Sequence, residues 1–143
     1  MTTAPTTNPL TELDHATCQR LLNSHSIGRL AISNGHNIDL FAVRYVIENG
    51  NIYFQTKAGD NFTSIVVTRK VAFEIDEART PSVRQVTVYG TAKWFPDDVD
   101  IAPELKDEAR VASNEHMHWV ELIPEKISGR ELKLPLSGGL PVQ

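Results

Sequence analysis

The residues best suited to chemistry lie in the stretch NIYFQTKAGDNF, residues 51–62. Ile52, Tyr53 and Phe54 favour a strand. Ala58-Gly59-Asp60 breaks it, and Asn61 is expected to cap a helix over 62–68 by accepting a backbone N–H. A helix start presents free N–H groups and a partial positive charge, which suits an anion such as a phosphate. Gln55, Thr56 and Lys57 stand just before that start, where polar and cationic groups can hydrogen-bond such an anion.

Other reactive residue types carry weaker patterns. His116 and His118 would point to one face of a strand, but His15, His25 and His36 lie far away in sequence and no third metal ligand stands out. A rim pair is therefore expected, not a metal site. Cys18, the only cysteine, has no nearby histidine and is expected to be a small half-buried residue without a disulfide partner. Asp97, Asp98, Asp100 and Glu104 lack the glycine and spacing of a calcium loop and read as a solvated acidic face. Nucleophile-elbow, phosphate-loop and dinucleotide glycine motifs are absent.

The elements that must position these residues are legible in outline. Residues 1–10 read as a loose arm rich in Thr and Pro. A helix is expected from Thr11 to about Asn23, with Leu13, Ala16, Leu21 and Leu22 as its apolar stripe. IGRLAIS (27–33), IDLFAVRYVI (38–47) and the strand entering the opening stretch are joined by Asn34-Gly35 and Asn49-Gly50, two strong hairpin signals. VAFEID (71–76) and VRQVTVYGTAKWF (83–95) follow, the latter with Gly90 as a bulge or bend. An acidic helix is expected over 96–113, then MHWVELI (117–123) as the last core strand. Residues 124–143 read as mostly irregular, with a short edge strand at 130–134. The sum is an antiparallel barrel of about six strands with flanking helices, one domain over 11–134 and a tail over 135–143.

Composition narrows the partners. The chain has 143 residues, 14 basic against 18 acidic, a formal charge of −4, and 41% hydrophobic residues. That allows one sizeable core. An acidic chain without a basic run argues against nucleic acid and anionic membrane surfaces. No apolar run is long enough to span a bilayer, and MTTAPTTNPL lacks the blocks of a signal peptide, so a cytoplasmic, reducing location is expected. Strands apolar on both faces favour a homodimer.

The order IGRLAIS, AVRYVIENGNIYFQTKAGDNF, VAFEID, VTVYGTAKW and HWVELIPEKISGREL resembles the layout of the pyridoxamine 5'-phosphate oxidase-like family from about Thr11 to Leu134. The resemblance implies the FMN-binding split barrel, six-stranded and antiparallel, and a homodimer with two cofactor sites at its interface. It implies FMN as cofactor and a flavin-dependent oxidoreductase with an unidentified substrate; some relatives use a deazaflavin coenzyme or haem. The family motif resembles Phe-Arg-Thr-x-x-Gly-x-Lys, matched by residues 54–61. Thr56 and Gly59 are kept, whereas Gln55 replaces the Arg and Asn61 the Lys that neutralise the flavin phosphate. Lys57, Arg44 and Arg69 are candidate replacement cations. Arg44 falls at the Asn of a Pro-Val-Asn-Tyr pattern, with Tyr45 at its Tyr, and Trp119 is the aromatic expected near the flavin. The cofactor-binding set implied is Arg44, Tyr45, Gln55, Thr56, Lys57, Asn61 and Trp119. The loss of two cations leaves two alternatives open: a dimeric small-ligand binding module without cofactor, and a deazaflavin-dependent reductase. Arg130, in the late Ser-Gly-Arg segment, is expected in an ion pair.

Overall fold

The computed structural model describes residues 10–57, 59–95 and 117–134, with the backbone alone at residues 60 and 61. The helix expected over 96–113, His116, and the tail over 135–143 lie outside the described residues. So does the arm over 1–10, except Leu10.

The described elements are β1 (Leu10–Leu13), α1 (His15–Ser24), β2 (Ile27–Ser33), β3 (Ile38–Glu48), β4 (Asn51–Lys57), α2 (Asp60–Thr68), β5 (Lys70–Arg79), β6 (Ser82–Phe95) and β7 (Met117–Lys133). All pairings are antiparallel, in the order β1-β7-β4-β3-β2-β5-β6, and β6 also pairs with β7. Six strands thus close a ring, and β1 adds a seventh on the second half of β7.

Alternation fills this ring. Leu30 and Ile32 of β2, Val43 and Tyr45 of β3, and Ile52 and Phe54 of β4 point inward, as do Phe73 and Ile75, Val86 and Val88, and Val120 and Leu122. Tyr45 and Phe73 meet edge to face with centroids 4.8 Å apart, a favoured aromatic geometry. Helix α1 closes one side of the barrel, burying Cys18, Leu21 and Leu22.

The ring is split. Strands β3 and β4 pair only from Tyr45↔Phe54 to Glu48↔Asn51. Residues 38–44 pair with β2 alone, while residues 55–57 turn away with β7. The outward side of that half of β3 is exposed at Ile38, Leu40, Ala42 and Arg44.

Several expectations are corrected. Residues 10–13 form a strand, not the first turn of a helix, because they pair with residues 129–132 of β7. Helix α1 starts only at His15. Asp14 is its N-cap, accepting from the Thr17 N–H at 2.8 Å, and hydrogen bonding by Thr17, from its side chain first and its backbone second, holds the Asp14 carboxyl below the usual range. Helix α2 is capped by the Gly59 backbone without a side-chain hydrogen bond, so Asn61 lies inside the first turn and is not its cap. The segment 124–133 continues β7 and is not irregular. Pro124 stands opposite Gly90 at the register shift, a place in a ladder that tolerates a missing N–H. The bend expected at Gly90 is there.

Candidate functional site

The β4–β7 register aligns two of the candidate residues. Gln55 pairs with Trp119, and Trp119 with Phe95 on β6. Arg44 is outward on β3, one residue beyond the Tyr45↔Phe54 pair. Gln55, Trp119 and Phe95 therefore belong to one row across three strands, and Arg44 lies past the last β3–β4 pair, opposite Ile27 of β2. Trp119 and Phe95 form a small second core against Val46 and Tyr53. Trp119 is only 1% exposed, and its indole Nε1–H has no hydrogen-bond partner among the described residues. A buried N–H left unpaired costs on the order of 1–3 kcal/mol, so this atom marks a place for an acceptor.

The next row holds a polar cluster. Tyr53 Oη donates to Glu121 Oε2 at 2.7 Å, and Asn51 donates to the same oxygen at 2.8 Å. Burial and the Glu121 carboxylate push the Tyr53 hydroxyl up to about 12. The ring keeps its proton at neutral pH and orients the carboxylate.

The opposite side of β4 faces the barrel end. Thr56, 6% exposed, pairs with His118, and its Oγ1 is buried with no hydrogen-bond partner among the described residues. Helix α2 begins four residues after Thr56, at Asp60. Its first intrahelical bond runs from the Thr63 N–H to the Gly59 carbonyl at 2.9 Å, so the amides of residues 60–62 precede the ladder. Lys57 ends β4 at the same corner and is exposed. The side chain of Asn61 lies outside the described residues. Arg69 does not belong here: it is the C-cap of α2, at the far end of a helix about 13 Å long.

Three residues at this barrel end make a contact that the sequence reading missed. Phe62 of α2 stacks on the His118 ring at 4.0 Å and 13°, and Trp94 meets Phe62 edge-on at 5.4 Å. They come from three distant segments, so no local spacing signals them. Phe62 stood only as the first residue of the expected helix, Trp94 as part of the strand over 83–95, and His118 as half of a rim pair. Among the described residues no three His, Cys, Asp or Glu side chains gather to hold a metal.

Two candidates behave differently. Tyr45 is inward and 2% exposed, and its hydroxyl donates to the Leu22 carbonyl at the end of α1 at 2.6 Å. Burial raises its pKa strongly. Tyr45 thus anchors α1 to the barrel. Tyr45→Phe should destabilise the fold by about 1–3 kcal/mol, because it strands that carbonyl; urea unfolding measures this, and an unchanged midpoint would exclude the anchoring role. Arg44 is among the residues lining a cleft of about 410 Å³ between the end of α1, the turn before β2, and β3. Arg130, expected in an ion pair, donates from Nε to Gln85 at 3.0 Å.

Comparison with known proteins gives a consistent result. The family model described as pyridoxamine 5'-phosphate oxidase matches residues 14–131. A FAD-binding protein from Mycobacterium smegmatis is 27% identical over 87% of this chain and 99% of its own, with a TM-score of 0.70. A Corynebacterium glutamicum protein named as a candidate pyridoxamine 5'-phosphate oxidase is 26% identical over 90% of this chain and 98% of its own, also at 0.70. A FAD-binding protein from Mesorhizobium loti, 19% identical over 87% and 99%, has a TM-score of 0.73 and shares the fold. The search of curated proteins finds no match.

Proposed function

Because the chain belongs to the pyridoxamine 5'-phosphate oxidase family, we propose that it is a flavin-dependent oxidoreductase that binds FMN and works as a homodimer. One observation carries this reading. The buried Thr56 Oγ1 and Trp119 Nε1 lack partners among the described residues at neighbouring positions of the β4–β7 ladder. A flavin ring is planar and rich in acceptors along one edge, which suits an indole N–H. A phosphate suits a hydroxyl, a lysine and the open amides at the start of α2.

The residues that would hold the group are Trp119 and Gln55 toward the ring and Thr56 and Lys57 toward the phosphate. When bound, the flavin supplies the electron transfer that no side chain here can perform. The chain's own residues position it, exclude water around Trp119 and fix its charge environment. Because a phosphomonoester carries about −1.5 to −2 charge, Lys57 is the residue asked to replace the cations absent at Gln55 and Asn61.

Dimerisation is supported by the exposed apolar strip on β2 and β3. Ile27, Ile38 and Leu40 are 64%, 76% and 65% exposed, and Val67 on α2 is 76% exposed. Exposed large apolar side chains on paired strands favour association. The exposed face of β3 carries Ile38, Leu40 and Arg44, which supports a seam along that strand.

Titration of the purified protein with FMN and FAD, followed by flavin fluorescence quenching alongside light scattering, tests the proposal. Saturable binding to a two-chain particle is the expected result. Lys57→Ala should weaken FMN about ten- to a hundredfold, the loss of one charge-assisted hydrogen bond; an unchanged affinity removes Lys57 from the site. A dimer that binds neither flavin would assign the barrel to a cofactor-free binding module, the reading that Gln55 favours.

A further inference from the structure

We propose that Phe62, His118 and Trp94 form an aromatic clamp that sets where helix α2 begins, with His118 as its positioning residue. Through this clamp they tune the hold on a phosphate group at the start of α2. The His118 ring lies flat on Phe62, with centroids 4.0 Å apart and planes 13° from parallel. Trp94 meets Phe62 edge-on at 5.4 Å and His118 edge-on at 6.0 Å. Stacked and edge-to-face arrangements are both favourable for flat rings.

The two ends of α2 are held by different forces. Hydrogen bonds fix the far end. The Thr68 hydroxyl donates to the Ser33 carbonyl at 3.0 Å, the Arg69 N–H to the Ile65 carbonyl at 2.9 Å, and the Ala92 N–H to the Arg69 carbonyl at 2.7 Å. At the start, Gly59 caps the helix without a side-chain hydrogen bond, and Phe62 rests on rings from β7 and β6. The leading N–H groups of a helix have no partners in its own ladder, so a first turn held by ring contacts shifts when those contacts are lost. The middle of α2 stays in place through Ile65, which is buried in the main core.

Register gives the clamp its consequence. His118 stands directly opposite Thr56, whose buried Oγ1 has no hydrogen-bond partner among the described residues. The stack therefore fixes the separation between that hydroxyl and the leading amides of α2, the groups proposed to share the phosphate. This consequence rests on the flavin reading; the clamp on α2 stands alone. The flat face of the ring is what serves here, so another flat ring at position 118 would serve as well.

Amide hydrogen exchange on the full chain without added flavin reads the clamp itself. His118→Ala should speed exchange of the Thr63 N–H, which donates to the Gly59 carbonyl, about three- to tenfold and leave that of the Arg69 N–H unchanged. His118→Phe should restore the parent rate. Titration with FMN and with riboflavin, which lacks the phosphate, reads the consequence. FMN should weaken about three- to tenfold in His118→Ala and in Phe62→Leu, and no further in the double variant, while riboflavin should not change. Parent-like Thr63 exchange in His118→Ala overturns the clamp. So does an equal effect of His118→Phe and His118→Ala, which would assign the role to the ring nitrogens. Equal weakening of FMN and riboflavin overturns the link to the phosphate. A parent protein that takes neither flavin sinks the oxidoreductase reading, and Thr63 exchange then decides the clamp alone. Phe62 and His118 are half-buried and Trp94 is exposed, so these substitutions leave the main core intact.

Discussion

Trp119→Ala is expected to destabilise the protein by about 3–5 kcal/mol, the usual loss for a buried large aromatic, and to abolish measurable flavin binding. Trp119 is the largest fully buried side chain among the described residues, and with Phe95 it forms the centre of the second core. Alanine would leave a cavity between Val46, Tyr53 and Phe95. Trp119→Phe separates the two roles. It keeps most of the volume and removes the unpartnered N–H, so stability should stay within about 1 kcal/mol of the parent. FMN affinity should nevertheless fall about tenfold, one hydrogen bond to an acceptor. Urea unfolding and flavin fluorescence read the two effects independently. Wild-type FMN affinity in Trp119→Phe would mean that the indole N–H does not meet the ring.

Gly90→Ala should lower stability by about 3 kcal/mol, the upper part of the range for forced overpacking. A Cβ built at Gly90 would run into the carbonyl oxygen of Ile123, with Leu122 Cδ2 at 2.8 Å and the Ile123 carbonyl carbon at 3.0 Å. Backbone cannot swing aside as a side chain can, so the alanine must push β6 off β7 where their register shifts. The damage should reach the site, because the same ladder carries Phe95 to Trp119 five residues farther along β6. Thermal and urea unfolding check the first effect, and FMN titration at a temperature where the variant remains folded checks the second. An unaltered midpoint would show that the strands do not approach this closely.

Much of the barrel was legible from local rules. Alternating residues in IGRLAIS and VAFEID, the two Asn-Gly turns and the interruption at Gly90 each report a local backbone preference that the fold preserves. The errors fall where identity depends on a partner strand. LTEL has no strong preference of its own and becomes a strand only against residues 129–132. The segment after Pro124 looks broken because proline removes a donor, yet it continues opposite a bulge. The start of α2 misled in another way: Asn61 is a good cap by residue type, but the chain turned two residues earlier, at Gly59, whose φ of 149° suits glycine.

By itself the sequence determined the alternating strands, their turns and a polar corner at Gln55–Lys57 leading into a helix, because these follow from side-chain period and backbone preference over a few residues. Tertiary structure decided which of those residues meet. It aligned Gln55 with Trp119, gathered Phe62, Trp94 and His118 at the barrel end, tied Tyr45 to α1, and set Arg44 opposite Ile27, past the last pair of β3 with β4. Such meetings depend on strand register between distant segments, where a slip of one residue exchanges the two faces of a sheet. No local spacing carries that information.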